Sequence, residues 1–121
     1  MPYRPTLFAL LLLSCSAPRV ERPKAAPESL GECLTRTGVH LYGASWCPHC
    51  HDQLKLFGAD APHVPYIDCD PDADLMMEPV CATEGFDFDS VYPMWIFPGL
   101  GRLPGVRALD VIAKIAGCPS P

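Results

Sequence analysis

The run Trp-Cys-Pro-His-Cys at positions 46–50 constrains the fold and chemistry of this chain more than any other feature. An apolar, strand-like stretch at 39–44 precedes it, and a helix-like stretch follows it. Two cysteines three residues apart at the start of a helix lie on one face, one turn apart. Their sulfurs can therefore form and break a disulfide bond without backbone movement. The unpaired N–H groups at the helix start also favour a thiolate at Cys47, so the motif indicates redox chemistry.

The bulk composition indicates one small domain in an oxidising compartment. A chain of 121 residues with 49% hydrophobic residues can bury a core, although a domain of this size is marginally stable without cross-links. Seven cysteines fit an exported protein better than a cytosolic one, and the net charge of −5 argues against nucleic-acid binding. Eight acidic and no basic residues lie between positions 68 and 89. We interpret this stretch as a solvated face or loop, with an acidic docking surface as the alternative.

The N-terminus has the pattern of a lipoprotein-type signal peptide at 1–14. A positively charged start is followed at 6–13 by an apolar run that is too short to span a bilayer. Leu-Leu-Ser-Cys at 12–15 resembles the lipobox of bacterial lipoproteins, which predicts that Cys15 is lipidated and anchors the chain to a membrane. The alternative is an ordinary secretory signal, with Cys15 cleaved away or left as a free thiol.

Residues 15–29 are predicted to be a tether between the lipid and a folded domain at 30–121. Pro18, Pro23 and Pro27 interrupt any helix or strand, and most of the other residues are small or charged. Together with the lipidation motif, this segment predicts a domain in the bacterial cell envelope, lipid-anchored and facing the periplasm or the cell exterior.

The spacing of apolar residues predicts an α/β fold. Leu109, Ile112, Ala113 and Ala116 recur at helical spacing, which makes the last helix the clearest. Helices are predicted at 30–37, 48–57, 72–83 and 108–116, and strands at 39–43, 64–67, 94–97 and 102–103. Strands that alternate with helices and end in a hairpin imply a small central mixed β-sheet flanked by α-helices.

Two segments carry a family resemblance: 42–50, which reads Tyr-Gly-Ala-Ser-Trp-Cys-Pro-His-Cys, and 91–97, which reads Val-Tyr-Pro-Met-Trp-Ile-Phe. With them, nearly all of the chain from 30 to 118 resembles the thioredoxin superfamily. A closer similarity, to the thioredoxin-like domain attached to bacterial and plant vitamin K epoxide reductase homologues, is carried by 46–53, 56–58, 64–71 and 92–96. The Cys-Pro-His-Cys sequence itself resembles that of strongly oxidising periplasmic dithiol oxidases.

The resemblance implies a thioredoxin-like thiol–disulfide oxidoreductase that oxidises or shuttles disulfides of exported proteins. Its expected partners are the thiols and disulfides of those proteins and a quinone-linked membrane oxidoreductase. The four-helix membrane domain of the family has no counterpart in these residues, so that partner is expected on a separate polypeptide. No cofactor is expected beyond the cysteine pair.

The resemblance and the helix geometry together assign roles around the motif. Cys47 is expected to be the exposed nucleophile, and Cys50 the more buried resolving thiol. Pro48 is tolerated in the first turn of the helix. His49 is expected to donate to the Cys47 thiolate or to pair with it as a cation, which would make the disulfide a stronger oxidant. Trp46 borders the site and is expected to contribute to the substrate surface.

A second conserved feature of the superfamily is matched by Tyr92 and Pro93. The resemblance implies a cis bond before Pro93, which would face the Tyr92 backbone toward Cys47 and let a substrate peptide pair with it as a β-strand does. The alternative is a trans proline at the start of a strand.

One position departs from thioredoxin itself, in which a buried acid lies six residues before the first active-site cysteine. Here that position is Leu41. Proton transfer to and from Cys50 would then depend on other groups or on water. The departure favours an oxidase or shuttle over a strong reductase.

The remaining cysteines of the folded domain permit two further bridges. Cys33, Cys69, Cys81 and Cys118 make six with the motif pair, and six cysteines allow 15 connectivities. The family resemblance suggests Cys69–Cys81, a bridge that would close the acidic segment and contribute about 3 kcal/mol. The same pair is alternatively a second redox pair that relays electrons. Cys33 and Cys118 lie near the two ends of the domain, where they can also pair.

Other interpretations of the motif compete with the redox one. Cys47-x-x-Cys50-His51 matches the attachment motif for c-type haem, with Met76, Met77 or Met94 as a distal ligand. The predicted strands, Trp46 and the Tyr92–Pro93 segment argue against a cytochrome. A redox-inert adaptor domain with a structural disulfide is the third hypothesis, and half a zinc site is disfavoured because a matching second motif is missing.

A calcium loop is the last alternative. Asp68, Asp70, Asp72 and Asp74 alternate as calcium ligands do, but the glycine and glutamate of such a loop are missing at the required places. We interpret these acids as a solvated turn.

Overall fold

The computed structural model describes residues 1–2, 26–70, 77–87 and 89–121. The predicted signal peptide from residue 3 onward, Cys15 and most of the tether lie outside the described residues, as do Asp72, Asp74 and Met76. Among the helices of the described ranges, none combines the length and the apolarity needed to cross a bilayer.

Helices and strands alternate along the chain, as the sequence predicts. They are α1 (Leu30–Thr37), β1 (His40–Gly43), α2 (Pro48–Leu56), a 3-10 helix (Gly58–His63), β2 (Tyr66–Asp68), α3 (Pro79–Thr83), β3 (Met94–Phe97), β4 (Gly101–Pro104) and α4 (Leu109–Ala116). The four strands form one sheet in the order β2-β1-β3-β4, in which β1 is parallel to β2 and antiparallel to β3. β4 returns antiparallel to β3. This mixed sheet with flanking helices confirms the α/β, thioredoxin-like fold.

The ends of α1 show why the sequence forms a helix there. Ser29 accepts a hydrogen bond from the Glu32 N–H, and the Glu32 carboxylate accepts one from the Ser29 N–H. This reciprocal capping satisfies two amides that would otherwise lack partners. Gly38 ends the helix in the left-handed conformation at φ 77°, which a residue without a Cβ adopts at no steric cost.

The core lies between the sheet and the helices α1 and α4. Leu41 in β1, Trp95 in β3, Leu34 in α1 and Ile112 in α4 are each fully buried. Leu41 lies opposite Trp95 on one side and opposite Tyr66 on the other. Leu41, the position at which this sequence departs from thioredoxin, is therefore an ordinary core residue.

Two disulfide bonds join distant or irregular parts of the fold. Cys33 of α1 is bonded to Cys118, which follows α4, and their Cα atoms lie 6.0 Å apart. Cys69, directly after β2, is bonded to Cys81 of α3, with a Cα–Cα distance of 5.8 Å. The first bond fixes the beginning of the folded domain to its end, and the second fixes α3 to the edge of the sheet.

Two segments differ from the sequence-based expectation. The helix predicted at 72–83 is seen as α3 from Pro79 onward, since proline is compatible with the first helical turn and not with the interior. The 3-10 helix at Gly58–His63 was not predicted, because its residues show no helical repeat of apolar side chains.

Candidate active site

The two motif cysteines lie on the first turn of α2, directly beyond the sheet edge where β1 ends. Cys47 is the N-cap of the helix, and its Sγ accepts the backbone N–H of Cys50 at 3.3 Å. Pro48 occupies the first helical turn, and the Cys47 N–H donates to the Ala44 carbonyl at 3.0 Å. Both cysteines are free thiols in this structure. The geometry therefore places two sulfurs one turn apart at a helix start, as the motif predicts.

Burial of the pair corrects one expectation. Cys47 is only 3% exposed and Cys50 is fully buried, so the nucleophile expected at the surface is covered. The reason is that the Cys47 sulfur turns back to cap the helix, while Tyr66 and Tyr92 pack against the two cysteines and Ala44. A substrate must reach Cys47 at the edge of this cover.

The thiol of Cys50 is held in its protonated form. Burial is the main cause that raises its pKa to about 12, and the hydrogen bond with Cys47 adds to this. The negative charge of Asp68 acts in the same direction. A thiol with such a raised pKa stays protonated near neutral pH, which agrees with the resolving role expected for Cys50.

His49 does not make the expected interaction with Cys47. Its side chain is 75% exposed, and Nδ1 lies 4.0 Å from Asp52 Oδ2, one turn further along α2. Within the described ranges, no hydrogen bond joins the His49 ring to the Cys47 sulfur. The expectation was wrong for this structure because the ring extends along the solvent side of the helix.

An aromatic row borders the cysteines on the side of β3. Trp46 is 62% exposed and meets Tyr92 edge-on, with ring centroids 6.4 Å apart. Tyr92 stacks on Phe86 at 5.6 Å, and Phe86 stacks on Tyr42 at 4.8 Å. The Tyr92–Pro93 peptide bond is cis. The structure thus brings Trp46, Tyr92 and Pro93 together around the motif, with Trp46 as the exposed end of the row.

Acidic residues anchor the loop that carries Cys47. This contact was not predicted from the sequence. Asp68 Oδ1 accepts the N–H of Ser45 at 3.1 Å and the N–H of Asp70 at 2.9 Å, and the Ser45 hydroxyl donates to Asp70. The two acids therefore hold this loop in place, in addition to forming part of the solvated turn that the sequence predicted. The available signal was their position directly after β2, because the ends of parallel neighbouring strands meet at the same sheet edge.

Gly43 and Tyr66 were also missed. A Cβ at Gly43 would lie 2.6 Å from both Cε2 and the hydroxyl oxygen of Tyr66, and 2.9 Å from Cys50 Sγ. No side chain fits there, so Gly43 is required for the close approach of Tyr66 and Cys50 over the backbone of β1. The sequence carries no signal for this contact, since it depends on the register of two strands.

In the part of the chain that the structure describes, the other redox and metal hypotheses lack a matching arrangement. Cys69 and Cys81 are 1% and 0% exposed and pack with Tyr42 and Phe86, which fits a structural bond. Met77 and Met94 pack against this same cluster, and His51 is exposed on α2. Across residues 1–2, 26–70, 77–87 and 89–121, no group of three or more His, Cys, Asp or Glu side chains is placed to hold a metal ion.

The fold and the site define the class of this molecule: a thioredoxin-like domain with a free dithiol at the start of the helix after β1. It is similar to the thiol-disulfide oxidoreductase LTO1 of Arabidopsis thaliana, with 40% identity over 93 residues, which is 74% of this chain and 24% of that protein. The chain thus spans about a quarter of the length of this relative. No family model matches the chain.

Proposed function

We propose that this protein is a thiol–disulfide oxidoreductase that acts through Cys47 and Cys50. The observation that carries the proposal is the selective pairing of its cysteines. Four of them form two bonds that fasten the fold, while the two on α2 remain free and adjacent. The similarity to a protein named as a thiol-disulfide oxidoreductase supports the same chemistry.

In the proposed oxidising direction, a substrate thiolate attacks Cys47 Sγ of the Cys47–Cys50 disulfide. The bond between the two sulfurs breaks, Cys50 leaves as a thiolate and then takes up a proton, and a mixed disulfide remains on Cys47. A second substrate thiolate attacks the substrate sulfur of that bond and releases Cys47. Two electrons and two protons pass from the substrate dithiol to the domain, and a partner must remove them again.

The substrates we propose are exported proteins, and the proposed partner is a quinone-linked membrane oxidoreductase related to vitamin K epoxide reductase. The two bonds Cys33–Cys118 and Cys69–Cys81 support an oxidising compartment, because such bonds persist there. The lipobox-like sequence before Cys15 supports a lipid anchor in the bacterial envelope, facing the periplasm or the cell exterior. The apolar side chain of Leu41 supports the oxidising direction, since it places no acid behind Cys50.

The direct test is oxidation of a reduced model protein by the full chain. Cys47→Ser is expected to abolish turnover while its melting curve stays close to that of the parent. Cys50→Ser, incubated instead with the disulfide-bonded form of the model protein, is expected to accumulate a mixed disulfide, because the Cys47 thiolate attacks the substrate disulfide and no second thiol releases it. Lys55→Ala, an exposed change on the same helix, serves as the control. Turnover by Cys47→Ser would exclude the proposed mechanism.

The reduction potential of the pair tests the direction. We expect about −120 mV, the range of a disulfide donor, whereas about −270 mV would indicate a reductase. A value below about −300 mV would favour the redox-inert adaptor hypothesis.

A further inference from the structure

We infer that Tyr66 controls the resolving cysteine: its ring shields Cys50 Sγ from water, and its hydroxyl donates a hydrogen bond to that sulfur when Cys50 becomes a thiolate. The inference rests on the proposed function, in which Cys50 leaves and attacks as a thiolate.

The register of the sheet sets the approach of Tyr66 to Cys50. Tyr66 pairs with Leu41 across the parallel strands β1 and β2, and Gly43 lies two residues further along β1. The Tyr66 hydroxyl oxygen and Cys50 Sγ both lie less than 3 Å from the point where a Gly43 Cβ would be. The two atoms are therefore less than about 6 Å apart, and the inferred hydrogen bond requires one of the two side chains to rotate toward the other when Cys50 ionises.

Two hydroxyl groups lie near the cysteine pair, since the rings of Tyr66 and Tyr92 both pack against it. The Asp68 carboxylate accepts hydrogen bonds from the loop that carries Cys47 and offers the thiolate only repulsion. The Tyr92 hydroxyl is buried without a hydrogen-bond partner among the described residues, and its ring is held between Trp46 and Phe86. The Tyr66 hydroxyl is favoured as the donor because it and Cys50 Sγ both approach the missing Cβ of Gly43.

The ionisation behaviour of the two groups agrees with this role. Burial raises the pKa of Tyr66 above its ordinary value, and the charges of Cys50, Asp68, Cys47 and Asp70 raise it further. The hydroxyl therefore keeps its proton while Cys50 ionises, so it acts as a hydrogen-bond donor and not as an acid. The proton that neutralises Cys50 after each step comes from water.

The test isolates Cys50 in the full chain that carries Cys15→Ser and Cys47→Ser, in which the other four cysteines are paired. The rate of iodoacetamide alkylation, followed by mass spectrometry across pH, is proportional to the thiolate fraction below the inflection. Tyr66→Phe keeps the ring and removes the donor, and we expect it to slow alkylation about tenfold. Tyr42→Phe removes a buried hydroxyl on the other face of β1 and is expected to leave the rate unchanged.

A second variant separates donation from shielding. Tyr66→Leu opens Cys50 to water, which lowers the cost of its charge, so alkylation is expected to be faster than in the parent. If Tyr66→Phe leaves the rate unchanged or increases it, the hydroxyl does not donate and the inference is wrong. The alkylation assay measures no turnover. Its result is therefore independent of whether Cys47→Ser abolishes turnover in the otherwise wild-type chain.

Discussion

At the scale of single residues, the site depends on the smallest side chain in it. Gly43 leaves a space into which both Tyr66 and Cys50 extend, at 2.6 and 2.9 Å from its missing Cβ. The Tyr66 ring packs against the two cysteines there, and Cys50 is fully buried.

Gly43→Ala is expected to lower the free energy of unfolding by about 1–3 kcal/mol, because the ring and the sulfur must both move. The displaced ring should also make Cys50 more accessible to alkylation. Gly85→Ala is the control: its positive φ of 83° makes alanine costly, yet nothing lies near the added Cβ. Urea denaturation measures the loss of stability in both variants, and alkylation measures the accessibility of Cys50. The prediction requires faster alkylation of Cys50 in Gly43→Ala and an unchanged rate in Gly85→Ala.

The raised pKa of Cys50 makes the stability of the dithiol form depend on pH. The folded protein holds this proton more tightly than the unfolded chain does, because the folded pKa of about 12 lies above the ordinary value of 9.0. The stabilisation is fully present below pH 9.0 and is lost as the pH rises toward 12.

Between pH 8 and pH 10 we expect the unfolding free energy of the dithiol form to fall by about 1 kcal/mol more than that of Cys50→Ser. Urea denaturation with both structural disulfides intact measures the difference. Equal losses in the two proteins would mean that Cys50 titrates normally in the folded state.

The sequence predicted the adjacent cysteine pair and the nearby Trp46, Tyr92 and Pro93, but it did not predict the other residues that surround the pair. Cys47 and Cys50 are recognisable because their chemistry is local, set by a spacing of three on a helix. Tyr66, Gly43 and Asp68 act through the register of β1 with β2, which apolar periodicity does not specify to the residue. His49 was misjudged for a related reason, since either direction of its ring is compatible with the sequence.

At the scale of elements, α2 is held in place by one buried polar side chain. Gln53 is fully buried, accepts the Arg107 N–H at 2.6 Å and the Trp95 indole N–H at 3.4 Å, and donates to the Arg107 carbonyl at 3.1 Å. These bonds tie the helix that carries both cysteines to β3 and to the loop before α4.

Gln53→Leu is expected to cost about 1–3 kcal/mol, since it leaves the buried N–H groups of Arg107 and Trp95 without partners. Lys55→Ala on the solvent side of the same helix should stay within about 0.5 kcal/mol of the parent. Thermal or urea unfolding measures the stability of both variants. If Gln53→Leu were as stable as the parent, water would have replaced the hydrogen bonds of the lost amide.

Element boundaries were predictable where a cap marks them and not elsewhere. α1 follows the prediction to the residue, since Ser29, Glu32 and Gly38 mark its ends. α3 is shorter than predicted at its start because Pro79 sets the first turn. Residues 72–76 of that prediction lie outside the described ranges.

At the scale of the whole molecule, the fold class followed from the order of strands and helices, whereas that order did not determine the disulfide pairing. Cys69–Cys81 was expected from the family resemblance, and Cys33–Cys118 only from the positions of these cysteines near the ends of the domain; both bonds are present. Six cysteines allow 15 arrangements, and the choice of Cys33–Cys118 depends on α1 and α4 packing side by side. That bond spans 85 residues, and Cys69–Cys81 spans 12.

The entropy of loop closure predicts which of these two disulfide bonds contributes more to stability. Replacing Cys33 and Cys118 with alanine should cost about 4–5 kcal/mol, against about 3 kcal/mol for Cys69 and Cys81. Urea denaturation of the two double variants measures both costs. The reverse order would mean that packing around Cys69–Cys81 matters more than chain entropy.

The hydrogen bond from the Cys50 amide to the Cys47 sulfur gives α2 a sensitivity of its own. A thiolate accepts such a bond strongly, whereas a sulfur in a mixed disulfide is a weak acceptor. The first turn of the helix should therefore open more often when Cys47 is in a mixed disulfide than when it is a thiolate, and hydrogen–deuterium exchange at this amide should be faster in the mixed disulfide. A backbone amide would then report, from inside the helix, which bond its neighbouring sulfur has formed.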